Sequence, residues 1–142
     1  MAIKMRFLYF SKQKKMKALG ELIKKEFDLT ANQNALDIIP PAYSCERERL
    51  VILGISAKND LDDMVRRFCN ELNPQKASNV ALVIEGNEAG ANKVVEALKT
   101  AGTTVIGDIQ YLKCGLFNSK LTDEEASSLL AWAHDLVDNK LA

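Results

Sequence analysis

The sequence predicts an α/β fold: a three-layer αβα sandwich around a five-stranded parallel sheet in the order 2-1-3-4-5. Three observations carry this. Short continuous runs of Val, Ile, Leu and aromatic residues recur along the chain, as in strands covered on both faces. Segments with apolar residues at i, i+3, i+4 spacing separate most of these runs. The 142 residues are 47% hydrophobic, enough for one domain over 1–142 with a full core.

The first strand is expected at 3–10, apolar and aromatic-rich. The helix after it, 12–27, places Met16, Leu19, Ile23 and Phe27 on one face, with Leu22 beside it. A short second strand, 35–39, ends at Pro40-Pro41. The crossover from 40 to 49 has no helical pattern; its ten residues span at most about 33 Å when extended. The third strand is expected at 50–55. The helix 60–72 follows, with Leu61, Met64, Val65, Phe68, Cys69 and Leu72 on its stripe. A fourth strand, 80–84, leads to a helix over 91–101 carrying Ala91, Val94, Val95, Leu98 and Ala101, with Gly102 as its C-cap. A fifth strand, 103–109, precedes a helix over 123–141 with Leu129, Leu130, Ala133, Leu136 and Val137 inward. Thr122 followed by Asp123-Glu124-Glu125 forms a capping box at its start.

Lys+Arg 19 against Asp+Glu 19 gives no net charge, which argues against a general nucleic-acid binder. Cys45, Cys69 and Cys114 are odd in number and widely spaced, there is no CxxC, and His134 is the one histidine. Metal-ligand spacing is therefore absent and no metal is expected. Reduced thiols, an amino terminus broken by Lys4 and Arg6, and the lack of a membrane-length apolar segment together predict a cytoplasmic protein with no membrane partner.

In an open parallel sheet of this order, ligands bind beyond the carboxyl ends of the strands, between strands one and three. The loops converging there are 11–16, 56–60 and 86–91. The candidate binding residues are therefore Ser11, Lys12, Gln13, Lys14, Lys15 and Met16 from the first loop, and Ser56, Ala57, Lys58 and Asn59 from the second. Gly86, Asn87, Glu88, Ala89 and Gly90 come from the third.

The chain resembles short-chain flavodoxins over nearly its whole length. The residues that carry this are Phe-Leu-Tyr-Phe-Ser-Lys at 7–12, Arg-Leu-Val-Ile-Leu-Gly-Ile-Ser-Ala at 49–57, Asn-Val-Ala-Leu-Val-Ile-Glu-Gly-Asn-Glu-Ala-Gly at 79–90 and Ala-Gly-Thr-Thr-Val-Ile-Gly at 101–107. The resemblance implies flavin mononucleotide (FMN) as cofactor and electron transfer as activity. These segments are mostly core strands and their exits, so they specify a fold more than an activity.

The family's first loop resembles Ser/Thr-x-Thr-Gly-x-Thr around the FMN phosphate. Here it reads Ser11-Lys12-Gln13-Lys14-Lys15-Met16. Gln13 and Met16 replace threonines, and Lys14 replaces the glycine whose backbone freedom permits close approach to an anion. The family also tends to sandwich the flavin ring between aromatic residues on the other two loops, which contain no Trp, Tyr or Phe here. Flavodoxins are typically acidic, whereas this chain is neutral.

Cations in the first turn of a helix oppose its dipole by roughly 0.3–1 kcal/mol each. Lys12, Lys14 and Lys15 therefore work against the helix unless an anion joins them. Either backbone N–H and ammonium groups converge on a phosphate, or the lysines point into water and screening hides the cost.

The remaining candidates read as structural. Cys69 is a small core hydrophobe, Cys45 an exposed loop thiol, and Cys114 a thiol with Lys113 beside it but no base in sequence. His134 reads as a surface residue without a partner, Trp132 as packing at the core's edge, and Glu88 as a solvated carboxylate. Tyr43 and Pro40-Pro41 lie in the short crossover, and nothing in the sequence decides whether they cover the cleft. No nucleophile–base pair points to an enzyme. The expectation is a flavodoxin-like domain with an eroded FMN site and a basic, anion-attracting loop, serving as a non-flavin binding or regulatory module. Its partner would be a phosphate-bearing small molecule or a redox or regulatory protein. The alternative is an FMN-binding electron-transfer protein.

Overall fold

A computed structural model describes residues 5–11, 13–27, 47–113 and 120–141. The elements are β1 (Met5–Phe10), α1 (Lys14–Glu26), β2 (Leu50–Ala57), α2 (Asp63–Glu71), β3 (Asn79–Gly86), α3 (Glu88–Ala101), β4 (Thr104–Val105), β5 (Gln110–Tyr111) and α4 (Asp123–Asp135). All pairings are parallel: β1 with β2, β2 with β3, and β3 with both β4 and β5. The third and fourth expected strands are therefore β2 and β3, and the fifth arrives as β4 and β5. The expected strand at 35–39, the crossover residues Pro40, Pro41, Tyr43 and Cys45, and also Lys12 and Cys114 lie outside the described residues.

Strand alternation sorts the apolar side chains into two cores, one on each face of the sheet. Leu8, Phe10, Val51, Leu53, Ile55, Val80, Leu82 and Ile84 pack under α2 and α3. Phe7, Tyr9, Leu50, Ile52, Ala81 and Val83 pack under α1 and α4. The result is the expected αβα sandwich; the described parallel sheet has five strands because the expected fifth is split in two, the expected second lying outside the described residues.

The helices start and stop where local chemistry directs. Asp62 caps α2 by accepting from the Met64 N–H at 2.9 Å. Asn87 caps α3 by accepting from the Gly90 N–H at 2.9 Å, so this helix begins three residues before the expected 91. Gly102, at φ 91°, ends it as a left-handed C-cap. Thr122 and Glu125 form the capping box of α4. Met64, expected on the α2 stripe, is 59% exposed: it lies in the first turn, and Val65, Phe68 and Cys69 make the buried face.

Two expectations are corrected near the sheet edge. The run 103–109 is not one strand. Gly107, at φ 71°, breaks the extended backbone between β4 and β5, and the Trp132 indole N–H donates to the Asp108 carbonyl at 3.0 Å. The last helix is α-helical only to Asp135 and continues as a π-helical turn, Leu136–Lys140. Leu136 is buried there against Gly107, where a Cβ would lie 2.4 Å from its Cδ2.

One glycine fixes how α1 sits on the sheet. A Cβ on Gly54 would lie 2.5 Å from Met16 Sδ and 3.3 Å from Phe7 Cζ. Met16 is fully buried, so its thioether fills the space that the missing side chain leaves. Gly54→Ala should therefore destabilise the fold by about 1–3 kcal/mol through overpacking, and Met16→Ala by about 2–5 kcal/mol through a cavity. In urea denaturation the double variant should lose less than the sum of the two, because shortening Met16 makes room for the new methyl. An additive double variant would disprove the contact.

Candidate functional site

Successive strand residues face opposite sides, so Ser11, Ser56 and Glu85 fall in one row on the α1 face of the sheet. Ser56 pairs in register with Glu85, and Ser11 follows Phe10, which pairs with Ile55. The row is hydrogen-bonded from end to end. Ser56 Oγ lies 2.8 Å from Glu85 Oε1 and 2.8 Å from Ser11 Oγ, and the Gln13 N–H donates to Ser11 Oγ at 3.2 Å. A carboxylate only accepts, and each serine has one proton. Ser56 therefore donates to Glu85, and Ser11 donates to Ser56. Sequence reasoning missed Glu85, although its strand parity with Ser56 was readable.

The second and third loops bind each other. Asn87 Nδ2 donates to Asn59 Oδ1 at 2.7 Å, and the Asn59 N–H donates back to Asn87 Oδ1 at 2.8 Å. Asn59 adopts a left-handed conformation, φ 65°, which asparagine tolerates better than most residues. The Asn87 N–H donates to the Ala57 carbonyl at 3.2 Å. A Cβ on Gly86 or Gly90 would lie 1.8 or 2.0 Å from that same oxygen. These glycines let the two loops pack backbone to backbone. Lys58, Glu88 and Ala89 are exposed.

The first loop divides. Lys14 is exposed and no side chain caps α1 at Gln13. Met16 is committed to the core. Lys15, expected at an anion site, is instead buried at 1% exposure. Its ammonium lies 2.6 Å from Glu125 Oε2 and donates to the Lys113 carbonyl at 2.6 Å. The anion that a cationic helix start calls for is thus a residue of this chain. Burial alone would raise the Glu125 carboxyl. The Lys15 ammonium and the Thr122 N–H and hydroxyl outweigh it and hold the carboxyl below the usual carboxylate range.

Elsewhere, His134 is exposed but not without a partner: Nε2 lies 2.7 Å from Glu26 Oε2, and the ring packs against Phe27 at 4.6 Å between centroids. Burial pushes the Cys69 thiol up to about 12, as befits an inert core residue. Trp132 is half-buried at the core's edge. A cavity of about 230 Å³ opens between β5 and the start of α4, walled by Tyr111, Leu112, Glu124 and Ser128. Among the described residues no three His, Cys, Asp or Glu side chains gather as a metal site, and no helix is long and apolar enough to cross a membrane.

Removing Glu125 should be costlier than removing Lys15. Glu125→Ala strands a buried ammonium, a loss of about 3–5 kcal/mol. Lys15→Met leaves a carboxylate whose side chain is 31% exposed and keeps some water, so the loss is smaller. Because the folded chain lowers this carboxyl, the unfolded chain binds the proton more readily in acid. Its contribution is complete above the ordinary value of 4.5 and fades as pH falls through the lowered folded value. Urea midpoints measured from neutral pH down into acid should fall more steeply for the wild type than for Lys15→Met; parallel curves would refute the pairing.

No family model matches the chain, and no curated protein sequence matches it. Among solved structures it is similar to a short-chain flavodoxin associated with a non-canonical PDU bacterial microcompartment. The TM-score is 0.67 at 11% sequence identity, covering 96% of this chain and 97% of that one. The likeness over nearly the whole chain and the parallel sheet flanked by helices agree: the chain has the flavodoxin-like fold.

Proposed function

We propose that this chain is a flavodoxin-fold binding or regulatory module that works without a resident flavin. The observation that carries this is the reciprocal Asn59–Asn87 pair, in which the Asn87 carboxamide donates to the Asn59 side chain and accepts from the Asn59 backbone N–H. It joins the two loops that would have to part around a planar ring. The connection between β3 and α3 is a single residue, Asn87, which leaves little backbone to open such a gap. Two further observations support the reading. The hydroxyl of Ser11, the one residue that keeps the type of the family's phosphate loop, is bonded to Ser56. The ammonium of Lys15 is bonded to Glu125. Of the two expected partner classes, a protein is favoured over a phosphate-bearing small molecule, because Ser11 and Lys15, two of the groups expected to grip phosphate, are engaged within the chain.

An FMN-dependent electron carrier is the second reading, favoured by the structural likeness to a short-chain flavodoxin. The absorption spectrum of the purified protein separates the two. It should show no flavin bands, and FMN titrated against it, followed by flavin fluorescence, should give no saturable binding tighter than about 100 μM. A yellow protein, or saturable quenching at lower concentrations, overturns the proposal in favour of the carrier.

A further inference from the structure

We infer that Glu85 is the residue that sets the charge preference of the cleft, orienting the Ser11–Ser56 hydroxyls so that they turn away an anion. The inference rests on the flavin-free reading above and gives it a cause at the level of single protons. The direction of the row is fixed at both ends. Gln13 contributes an N–H, which only donates, and Glu85 contributes a carboxylate, which only accepts. Every hydroxyl proton between them is therefore drawn toward Glu85. Ser11 is only 2% exposed, so an oxyanion can reach the row at the partly exposed Ser56, where it meets oxygen lone pairs rather than a proton.

The carboxylate adds its own repulsion. Glu85 and Ser56 are only partly buried, and like charges at close range in a partly desolvated site repel more strongly than in bulk water. Lys15 is paired with Glu125, and among the described residues no ion pair to Glu85 is formed within 4.0 Å. Among the described residues, the row thus favours a neutral or cationic group that donates hydrogen bonds, such as an amide N–H or an ammonium.

Glu85→Gln reverses the row with almost no change in shape. The new amide can donate to Ser56, after which Ser56 no longer needs to donate to residue 85 and Ser11 no longer needs to donate to Ser56. At least one hydroxyl proton becomes available to an anion, and the charge is gone. The test is isothermal titration of wild type and Glu85→Gln with inorganic phosphate, against chloride at matched ionic strength. Glu85→Gln should bind phosphate at least about tenfold more tightly than wild type. Adding Ser56→Ala to that variant should abolish the gain, whereas Glu88→Gln, which removes an exposed carboxylate of the neighbouring loop, should produce none. Circular dichroism confirms that each variant is folded, and Glu85→Ala serves in place of Glu85→Gln if the latter is not.

The inference is overturned if Glu85→Gln or Glu85→Ala gains no phosphate affinity, or if Glu88→Gln gains as much. It is also overturned if wild type already binds phosphate through Ser56. These outcomes differ from failure of the flavin-free reading, which is registered by FMN binding to the wild-type protein.

Discussion

One buried ammonium ties together the side of the molecule on which the candidate site sits. Lys15 lies in the first turn of α1, donates to the Lys113 carbonyl just beyond β5, and pairs with Glu125 in the first turn of α4. Taking that charge out of water costs several kcal/mol, which only short, well-directed contacts offset. Both contacts are 2.6 Å. Glu125 meets the demand with its two oxygens: Oε2 faces Lys15, and Oε1 accepts from the Thr122 N–H that begins α4. The capping box and the ion pair are therefore one structure. It sets α1 and α4 side by side over the sheet and fixes the first turn of α1, from which Met16 drops onto Gly54.

The carboxyl end of the sheet follows a different logic, that of close backbone contact and internal hydrogen bonding. Gly86 and Gly90 bring the third loop against the Ala57 carbonyl, and Asn59 and Asn87 fasten the two loops. Glycine is usually read at such a place as room for a ligand. Here the room is taken by the protein's own backbone. The row Ser11–Ser56–Glu85 does the same with hydroxyls, since each proton has an acceptor within the chain. A site whose donors already satisfy one another gives an anion little, because binding must first break bonds that cost nothing to keep.

Most of the fold was legible because strands and helices announce themselves through local periodicity. The strands Leu50–Ala57 and Asn79–Gly86 are mostly Val, Ile and Leu and end in polar or small residues, and Thr122 with Glu125 marks a helix start by chemistry alone. The fifth strand was misread because Ile106 and Ile109 carry the apolar signal across a glycine that turns the backbone. The onset of α3 was placed late because Asn87, Glu88 and Ala89 have no apolar pattern, although Asn87 is a preferred capping residue.

The candidate site was legible as a location and not as chemistry. Sequence by itself determined that the loops at 11–16, 56–60 and 86–91 meet, because a parallel α/β order leaves one crevice. It also determined that the family's glycine and threonines are missing from the first loop. Only the tertiary structure decided what each remaining group is used for. Lys15 and Glu125 are 110 residues apart, and Ser56 and Glu85 share a hydrogen bond only because β2 and β3 pair in that register. A charge or a hydroxyl has many partners open to it along a sequence. The fold leaves each one the partner it can reach, and burial makes that choice binding.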